Sequence, residues 1–244
     1  MISTKLAILS NIEVAPGIFA LRLVRPAGIE LKAGQFINIA VPGKTLRRPI
    51  SLHDYDENTL TVVYRVVGDG TKDLSRMSEG HLDVLLPLGN GFDYSAFSNE
   101  VLIVGGGMGT APLYAAAKEA LKRGLSVKMI YGFRSPREEV FREKLRHLPV
   151  QAMTCYDTEG ENVVDVMIKR RWENIPFLAC GPLPMSKALA AASQADGQFS
   201  LEARMGCGFG ACMGCSFRTT EGMKRICKEG PVFRKEEILW QNLK

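Results

Sequence analysis

Four of the chain's six cysteines fall within Met205–Pro231, the stretch MGCGFGACMGCSFRTTEGMKRICKEGP. Cys207, Cys212, Cys215 and Cys227 follow the spacing C-x4-C-x2-C-x11-C. Three chemistries compete for such a set: disulfides, a zinc site, or an iron–sulfur cluster. Disulfides are the weakest. The N-terminal residues MISTKLAILS carry no long apolar core with a small-residue cleavage site, and no run of about 18 apolar residues suggests a membrane span. The expectation is a cytoplasmic chain with reduced thiols, where clustered cysteines serve metals or redox chemistry. Structural zinc sites usually pair their ligands in two short knuckles. Here three cysteines crowd one loop and a fourth lies alone, as in plant-type [2Fe–2S] proteins. Gly206, Gly208, Gly210 and Gly214 fit the same reading. They let the backbone approach the sulfurs, so that amides point at a negative centre. Zinc stays open as the competing metal.

A second glycine cluster lies in VLIVGGGMGTAPL, Val101–Leu113. Gly105 and Gly107 match the start of the dinucleotide fingerprint G-x-G-x-x-G/A, but Thr110 stands at its last position. The next strand runs into GFRS rather than an acid. The standard fingerprint therefore fails, although a glycine turn between strand and helix still suits a pyrophosphate. Arg134 and Ser135 either meet a 2′-phosphate or face solvent. Cys180, in ACGP, ends another strand, where ligands of open α/β sheets bind; alone it reads as a buried structural cysteine.

Three regions must position these groups. Residues 1–97 hold β-rich runs such as GQFINIAV, LTVVYRVV and LDVLLPL between turn residues, with no convincing long helix, and read as a small β-barrel. Residues 98–197 alternate strand and helix: VLIVGGG, APLYAAAKEALKRG, SVKMIYGF, PREEVFREKLRHL, VQAMTCY, ENVVDVMIKRRW, PFLACG and PMSKALAAAS. That alternation implies a parallel sheet covered by helices. Residues 198–244 carry the cysteines and little regular structure. Hydrophobic content of 46% and charged content of 23% give ample material for cores. The net charge of +5 is spread without basic tracts or interleaved aromatics, which argues against nucleic acid.

Taken together, RRPISL (Arg47–Leu52), GGGMG and CGP stand in the order of the ferredoxin–NADP reductase superfamily, which the chain resembles. The resemblance implies an FAD-binding barrel, an NAD-binding α/β domain (98–197) and, here, a C-terminal [2Fe–2S] domain (198–244). It implies FAD contacts from Arg48, Pro49, Ile50 and Ser51, and from Val63, Tyr64, Arg65, Gly70 and Thr71. NAD contacts would come from Gly105, Gly106, Gly107, Gly109 and Thr110, and from Cys180, Gly181 and Pro182 near the nicotinamide. Taken singly, Arg48 would read as a surface cation and Ser51 as a strand serine. The ending LEARMGCGFGACMGC…CKEGPVF is similar to the electron-transfer subunit of class 1B dihydroorotate dehydrogenases, over nearly the whole chain. That family pairs with an FMN-containing catalytic subunit, expected as two of each chain. Electrons from dihydroorotate pass through the cluster and FAD to NAD⁺ in pyrimidine (UMP) biosynthesis. The alternative is a flavin subunit of NAD(P)H-linked ferredoxin or sulfide oxidoreductases, where an Asp is expected in place of the first cluster cysteine. Cys207 favours the pyrimidine enzyme. Thr110–Ala111 departs from the Val-Pro expected after the glycine turn.

Nicotinamide moves a hydride while the cluster moves single electrons, and a flavin between them does both. No acid–base residue is required by that scheme. Among the three histidines, His53 is expected as a solvated loop residue that could touch the flavin, and His81 and His147 as surface residues. Cys155 is expected in the core. Phe209 and Met213 either help a partner dock or pack under the cysteine loop.

Overall fold

The structure is a computed structural model that describes residues 1–243. Its first part is a closed six-stranded antiparallel barrel. The strands are β1 (Ile2–Ala15), β2 (Ile18–Val24), β3 (Phe36–Ile39), β4 (Arg48–Tyr55), β5 (Thr59–Arg65) and β6 (His81–Leu88), ordered β1-β2-β5-β4-β3-β6. Pairing of Ile2–Ala7 with His81–Leu86 closes the ring, so no ladder edge is left open. Alternate positions such as Leu21, Leu23, Ile37, Ile39, Leu60 and Val62 fill the interior. The barrel region also holds one short helix, α1 (Asp69–Ser75). Thr71 Oγ1 starts it by accepting from the Val67 and Gly68 amides at 2.9 and 3.2 Å.

Beyond the barrel lies a six-stranded sheet ordered β14-β11-β10-β7-β8-β9. It contains β7 (Glu100–Gly106), β8 (Ser126–Phe133), β9 (Gln151–Tyr156), β10 (Phe177–Cys180), β11 (Gly197–Ser200) and β14 (Val232–Arg234). Five strands are parallel, as the alternation implied; β14 adds antiparallel to β11. The helices are α2 (Leu113–Lys122), α3 (Arg142–Arg146), α4 (Val163–Lys169) and α5 (Leu183–Ala192). Gly124, at φ +80°, ends the α2 turn. Asn162 caps α4 by accepting from the Val164 and Asp165 amides at 2.9 and 3.2 Å. The long helix expected over PREEVFREKLRHL is instead a 3₁₀ turn at Pro136–Glu138 followed by the five residues of α3.

The last region is more ordered than its composition suggested. β12 (Ser216–Thr219) and β13 (Gly222–Arg225) form a hairpin, and β14 is borrowed by the α/β sheet. Strand β11 also crosses the 197/198 boundary expected from the sequence. The segments are sewn together by hydrogen bonds. Asn90 in the loop after the barrel bonds the Val232 carbonyl at 2.7 Å and its amide at 3.1 Å. Lys118 of α2 pairs with Asp54 of β4 at 2.5 Å. Among the described residues, no helix is long and apolar enough to cross a membrane.

Candidate electron-transfer site

The C-terminal ends of the parallel strands face the barrel, and a cleft of about 420 Å³ opens between the two. Arg48, Pro49, Ile50 and Ser51 of β4 line it, with Val63, Tyr64 and Arg65 of β5 and Thr71 of α1. The sequence placed all eight of these together. Gly70, the ninth, lies beneath: a β-carbon there would sit 1.9 Å from Arg48 Nε. The Tyr64 hydroxyl donates to Asn11 Oδ1 at 3.1 Å, and burial raises that phenol to about 12. The opposite wall comes from Met108, Ala111 and Pro112 after the glycine turn, and from Leu201, Glu202, Ala203 and Met205 on the way to the cysteines.

Glu202 is a cleft residue that the sequence did not single out; only its place ahead of the cysteine loop could have marked it. It is open to solvent from the cleft, yet desolvation raises its carboxyl above the usual carboxylate range. Its charge also reaches Cys180. Burial and then Glu202 push that thiol far above its ordinary value, while the Ser200 hydroxyl opposes the shift. Cys180 is therefore a neutral, buried thiol at the end of β10, 2% exposed.

A second cleft, of about 500 Å³, opens over the glycine turn. Gly106, Gly107 and Pro182 line it, with Arg134, Glu138, Asp157 and Met185. Gly105, Gly109, Thr110, Cys180 and Gly181 do not line it; they pack behind the lining residues. A β-carbon at Gly109 would come within 2.5 Å of the Cys180 carbonyl oxygen, and one at Gly106 within 2.5 Å of Met185 Sδ. The GGGMG and CGP turns are thus packed backbone to backbone. Gly105 leaves room for Thr110, whose methyl would lie 2.7 Å from a β-carbon there. The fingerprint's missing last glycine is replaced by Thr110, which donates to the Gly107 carbonyl at 2.7 Å and closes the 3₁₀ turn. Ser135 precedes the next 3₁₀ turn and is not part of the wall. The ion pair Arg65–Glu138, at 3.2 Å, joins the two clefts.

His53 corrects the sequence reading. It is fully buried on β4, not solvated in a loop. Its Nδ1 donates to the Ala111 carbonyl at 2.6 Å, and Lys144 Nζ stands 3.0 Å from Nε2. The rings of Tyr114 and Phe141 pack on it with centroids at 5.0 and 5.3 Å. Burial, then Lys144, lower its pKa to about 4. The ring holds Ala111 against the first cleft rather than lining it. His81 and His147 are exposed. Cys155 is buried, and its thiol is pushed up to about 12 by desolvation.

The cysteine loop wraps over the barrel's flank. Gly208 and Gly210 take φ of +77° and +95°, which a side chain would resist. Backbone amides then turn onto sulfur. Ala211 and Cys212 donate to Cys207 Sγ at 3.2 and 3.4 Å, Cys207 and Gly214 to Cys212 Sγ at 3.5 Å, and Cys227 to Cys215 Sγ at 3.4 Å. Desolvation opposes ionisation of Cys207, but the amides of Cys212, Phe209 and Ala211 and the Cys212 thiol outweigh it and bring the pKa to about 6. Arg225 fixes the loop from the hairpin by donating to the Gly210 carbonyl at 2.7 Å while pairing with Glu229. Among the described residues, no three His, Cys, Asp or Glu side chains converge on one point. The thiols stand instead as two side-chain pairs, Cys207 with Cys212 and Cys215 with Cys227. Two pairs suit a binuclear centre with two thiolates per iron better than one tetrahedral ion that needs four. Phe209 and Met213 point outward, 42% and 52% exposed.

Comparison with known proteins agrees with this geometry. Residues 202–239 match the family described as the iron–sulfur cluster binding domain of dihydroorotate dehydrogenase B. The electron transfer subunit of dihydroorotate dehydrogenase B (NAD(+)) from Fusobacterium nucleatum is 36% identical, covering 93% of this chain and 95% of its own length. The Caldanaerobacter subterraneus subunit of the same name is 38% identical, covering 97% and 98%. The chain belongs to this family of electron transfer subunits. Its fold is also that of the NADH-dependent reduced ferredoxin-NADP oxidoreductase structure, at a TM-score of 0.86 and 29% identity over 97% of this chain and 90% of the other.

Proposed function

We propose that this chain takes electrons from dihydroorotate oxidised on a partner subunit and passes them through a [2Fe–2S] cluster and FAD to NAD⁺, in the synthesis of UMP. One observation carries the reading. The first cleft is walled by the barrel, by the end of the glycine turn and by Leu201–Met205. It therefore lies between the second cleft and the cysteine loop, as an intermediate carrier must.

In this reading the barrel of residues 1–97 holds FAD. Pro49, Ile50, Ser51, Val63 and Tyr64 would hold the flavin ring, and Arg48, Arg65, Gly70 and Thr71 its pyrophosphate. Residues 98–197 hold NAD through Gly105, Gly106, Gly107, Gly109 and Thr110, with Cys180, Gly181 and Pro182 under the nicotinamide. Cys207, Cys212, Cys215 and Cys227, in residues 198–244, ligate the cluster. When bound, FAD would supply the link between a two-electron hydride carrier and a one-electron carrier. The protein's part is placement. The packed GGGMG and CGP turns would hold the nicotinamide side against the flavin side. The barrel's apolar wall keeps water from the exchange, and amides aimed at the sulfurs stabilise a negative cluster.

The partner is an FMN-containing catalytic subunit, assembled two and two in the cytoplasm, and exposed Phe209 and Met213 face it. The test is an assay of the purified chain. It should reduce artificial acceptors with NADH, and form orotate only after the candidate FMN subunit is added. Substantial orotate from the chain alone, or no gain with the partner, would overturn the proposal. A second reading, a flavin subunit of the NAD(P)H-linked ferredoxin type, draws on the structural likeness to the ferredoxin-NADP oxidoreductase. Purification without a tight partner would favour it.

A further inference from the structure

Strand β3 touches both redox positions, and it does so from one face. Phe36 lines the flavin cleft and packs in the apolar cluster that contains Cys215 and Cys227. Asn38, two residues on, projects from the same side while Ile37 and Ile39 fill the barrel. Asn38 is 1% exposed, and its Nδ2 donates to the Cys207 carbonyl at 2.9 Å.

The contact is close on the loop side as well. A β-carbon at Gly208 would lie 2.3 Å from Asn38 Nδ2. Residue 208 must therefore be glycine twice over, for its φ of +77° and for the amide pressed on its Cα. The strand is braced at this point. Asn38 pairs with Pro49 of the flavin-contacting strand. Arg47 donates to the Asn38 carbonyl at 3.3 Å and to the Asp83 carbonyl at 3.0 Å, and pairs with the Asp83 carboxylate at 2.9 Å.

Asn38 Oδ1, by contrast, is buried without a hydrogen-bond partner among the described residues. A half-satisfied amide inside a barrel flank weakens the barrel. An aliphatic side chain of the same volume would serve packing better. What the amide adds is the bond to the cysteine loop.

We propose that Asn38 is a positioning residue for electron transfer: it ties Cys207 to the strand that walls the flavin cleft, so that the barrel sets the distance between cluster and flavin. Two residues of one strand face span about 7 Å. Strand β3 is thus a rigid spacer, with Phe36 at one carrier and Asn38 at the ligand of the other. The loop alone would set that distance loosely, since five of its residues from Gly206 to Gly214 are glycine or carry positive φ. The proposal rests on the cluster reading above.

The test uses the full chain loaded with FAD and cluster, in wild type and Asn38→Leu. NADH is mixed anaerobically, and flavin reduction and cluster reduction are followed separately by their spectra. The cluster midpoint potential is measured by EPR-monitored titration. In Asn38→Leu, flavin reduction by NADH should keep its wild-type rate. Electron passage from flavin to cluster should slow severalfold, because the cluster is no longer held at a fixed distance from the flavin, and the cluster EPR signal should broaden. If the Asn38→Leu variant fails to assemble a cluster, Asn38→Ser removes the amide without adding bulk and gives the same reading. Wild-type passage rates and an unaltered EPR signal in a variant that holds its cluster would overturn the proposal. Absence of any cluster signal in the wild-type chain would overturn the cluster reading instead, so the two failures are distinguishable.

Discussion

The Arg48 guanidinium lies against the Cα of Gly70: a β-carbon at position 70 would come within 1.9 Å of Nε and 2.0 Å of Nη2. The arginine is also held by the Leu46 carbonyl. Its charge is therefore fixed on the first turn of α1, facing the cleft. Arg48→Ala should weaken FAD binding by about ten- to hundredfold, the loss of a charge-assisted bond of about 1.5–3 kcal/mol. Gly70→Ala should weaken it too, by displacing a guanidinium that is still present. FAD dissociation constants from fluorescence titration check both, and unchanged values would place the flavin elsewhere.

Cys212 is the exposed member of the four cysteines, and two amides point at its sulfur. Cys212→Ser should abolish the visible iron–sulfur absorption and leave FAD bound, because the first cleft, where we propose the flavin sits, takes no wall from residue 212. Iron and acid-labile sulfide analysis, with flavin extraction, measures the two independently. Full retention of iron and sulfide would remove Cys212 from the ligand set.

The cysteine spacing and the order RRPISL, GGGMG and CGP picked out eight residues that line the first cleft and three that line the second, because such motifs hold particular residue types at fixed local spacing. Barrel and parallel sheet were legible for a related reason: period-two runs and strand–helix alternation are local signals. What escaped depends on distant packing. Nothing around His53 in the sequence predicts that α2 and the Phe141 segment will bury it. Asn38 sits in the apolar run FINI, and its partner Cys207 lies 169 residues away. The PREEVFREKLRHL helix was overestimated because its pattern is helical while Pro136 and the packing of Phe141 break it into a turn and a short α3.

His53 gives the fold an acid-sensitive joint. Its pKa falls from 6.5 to about 4 on folding, through burial first, then Lys144, with Lys118 adding to the drop and Asp54 opposing it. Above pH 6.5 both folded and unfolded chains carry it neutral, and its contribution to stability is complete. Between pH 6.5 and about 4 the unfolded chain takes up a proton that the folded chain refuses, so stability falls as pH falls. The loss reaches about 3 kcal/mol. His53→Gln should be less stable at neutral pH but show a flatter decline across this window. Urea unfolding at pH 7, 6, 5 and 4 measures the slope, and equal slopes in both proteins would refute the account.

The second cleft should prefer NADH to NADPH, and Asp157 should be the reason. Its wall carries two carboxylates, Glu138 and Asp157, against one guanidinium, Arg134. Glu138 is already paired with Arg65. Asp157 begins the turn at the end of β9, and the Thr158 amide donates to the Arg134 carbonyl at 3.1 Å, which brings the two side chains to one rim of the cleft. Carboxylates beside the adenosine ribose accept from its hydroxyls, whereas a 2′-phosphate brings like charge against like charge. Arg134 alone would favour the phosphate, so the balance turns on whether Asp157 stays. Asp157→Ser should raise kcat/KM for NADPH by about tenfold, the effect of removing one partly solvated repulsion of roughly 1.4 kcal/mol, and lower it for NADH. Arg134→Ala should deepen the preference for NADH in the otherwise unaltered chain. Steady-state reduction of ferricyanide with each nucleotide separates these outcomes. Equal changes for both nucleotides would show that Asp157 only shapes the cleft.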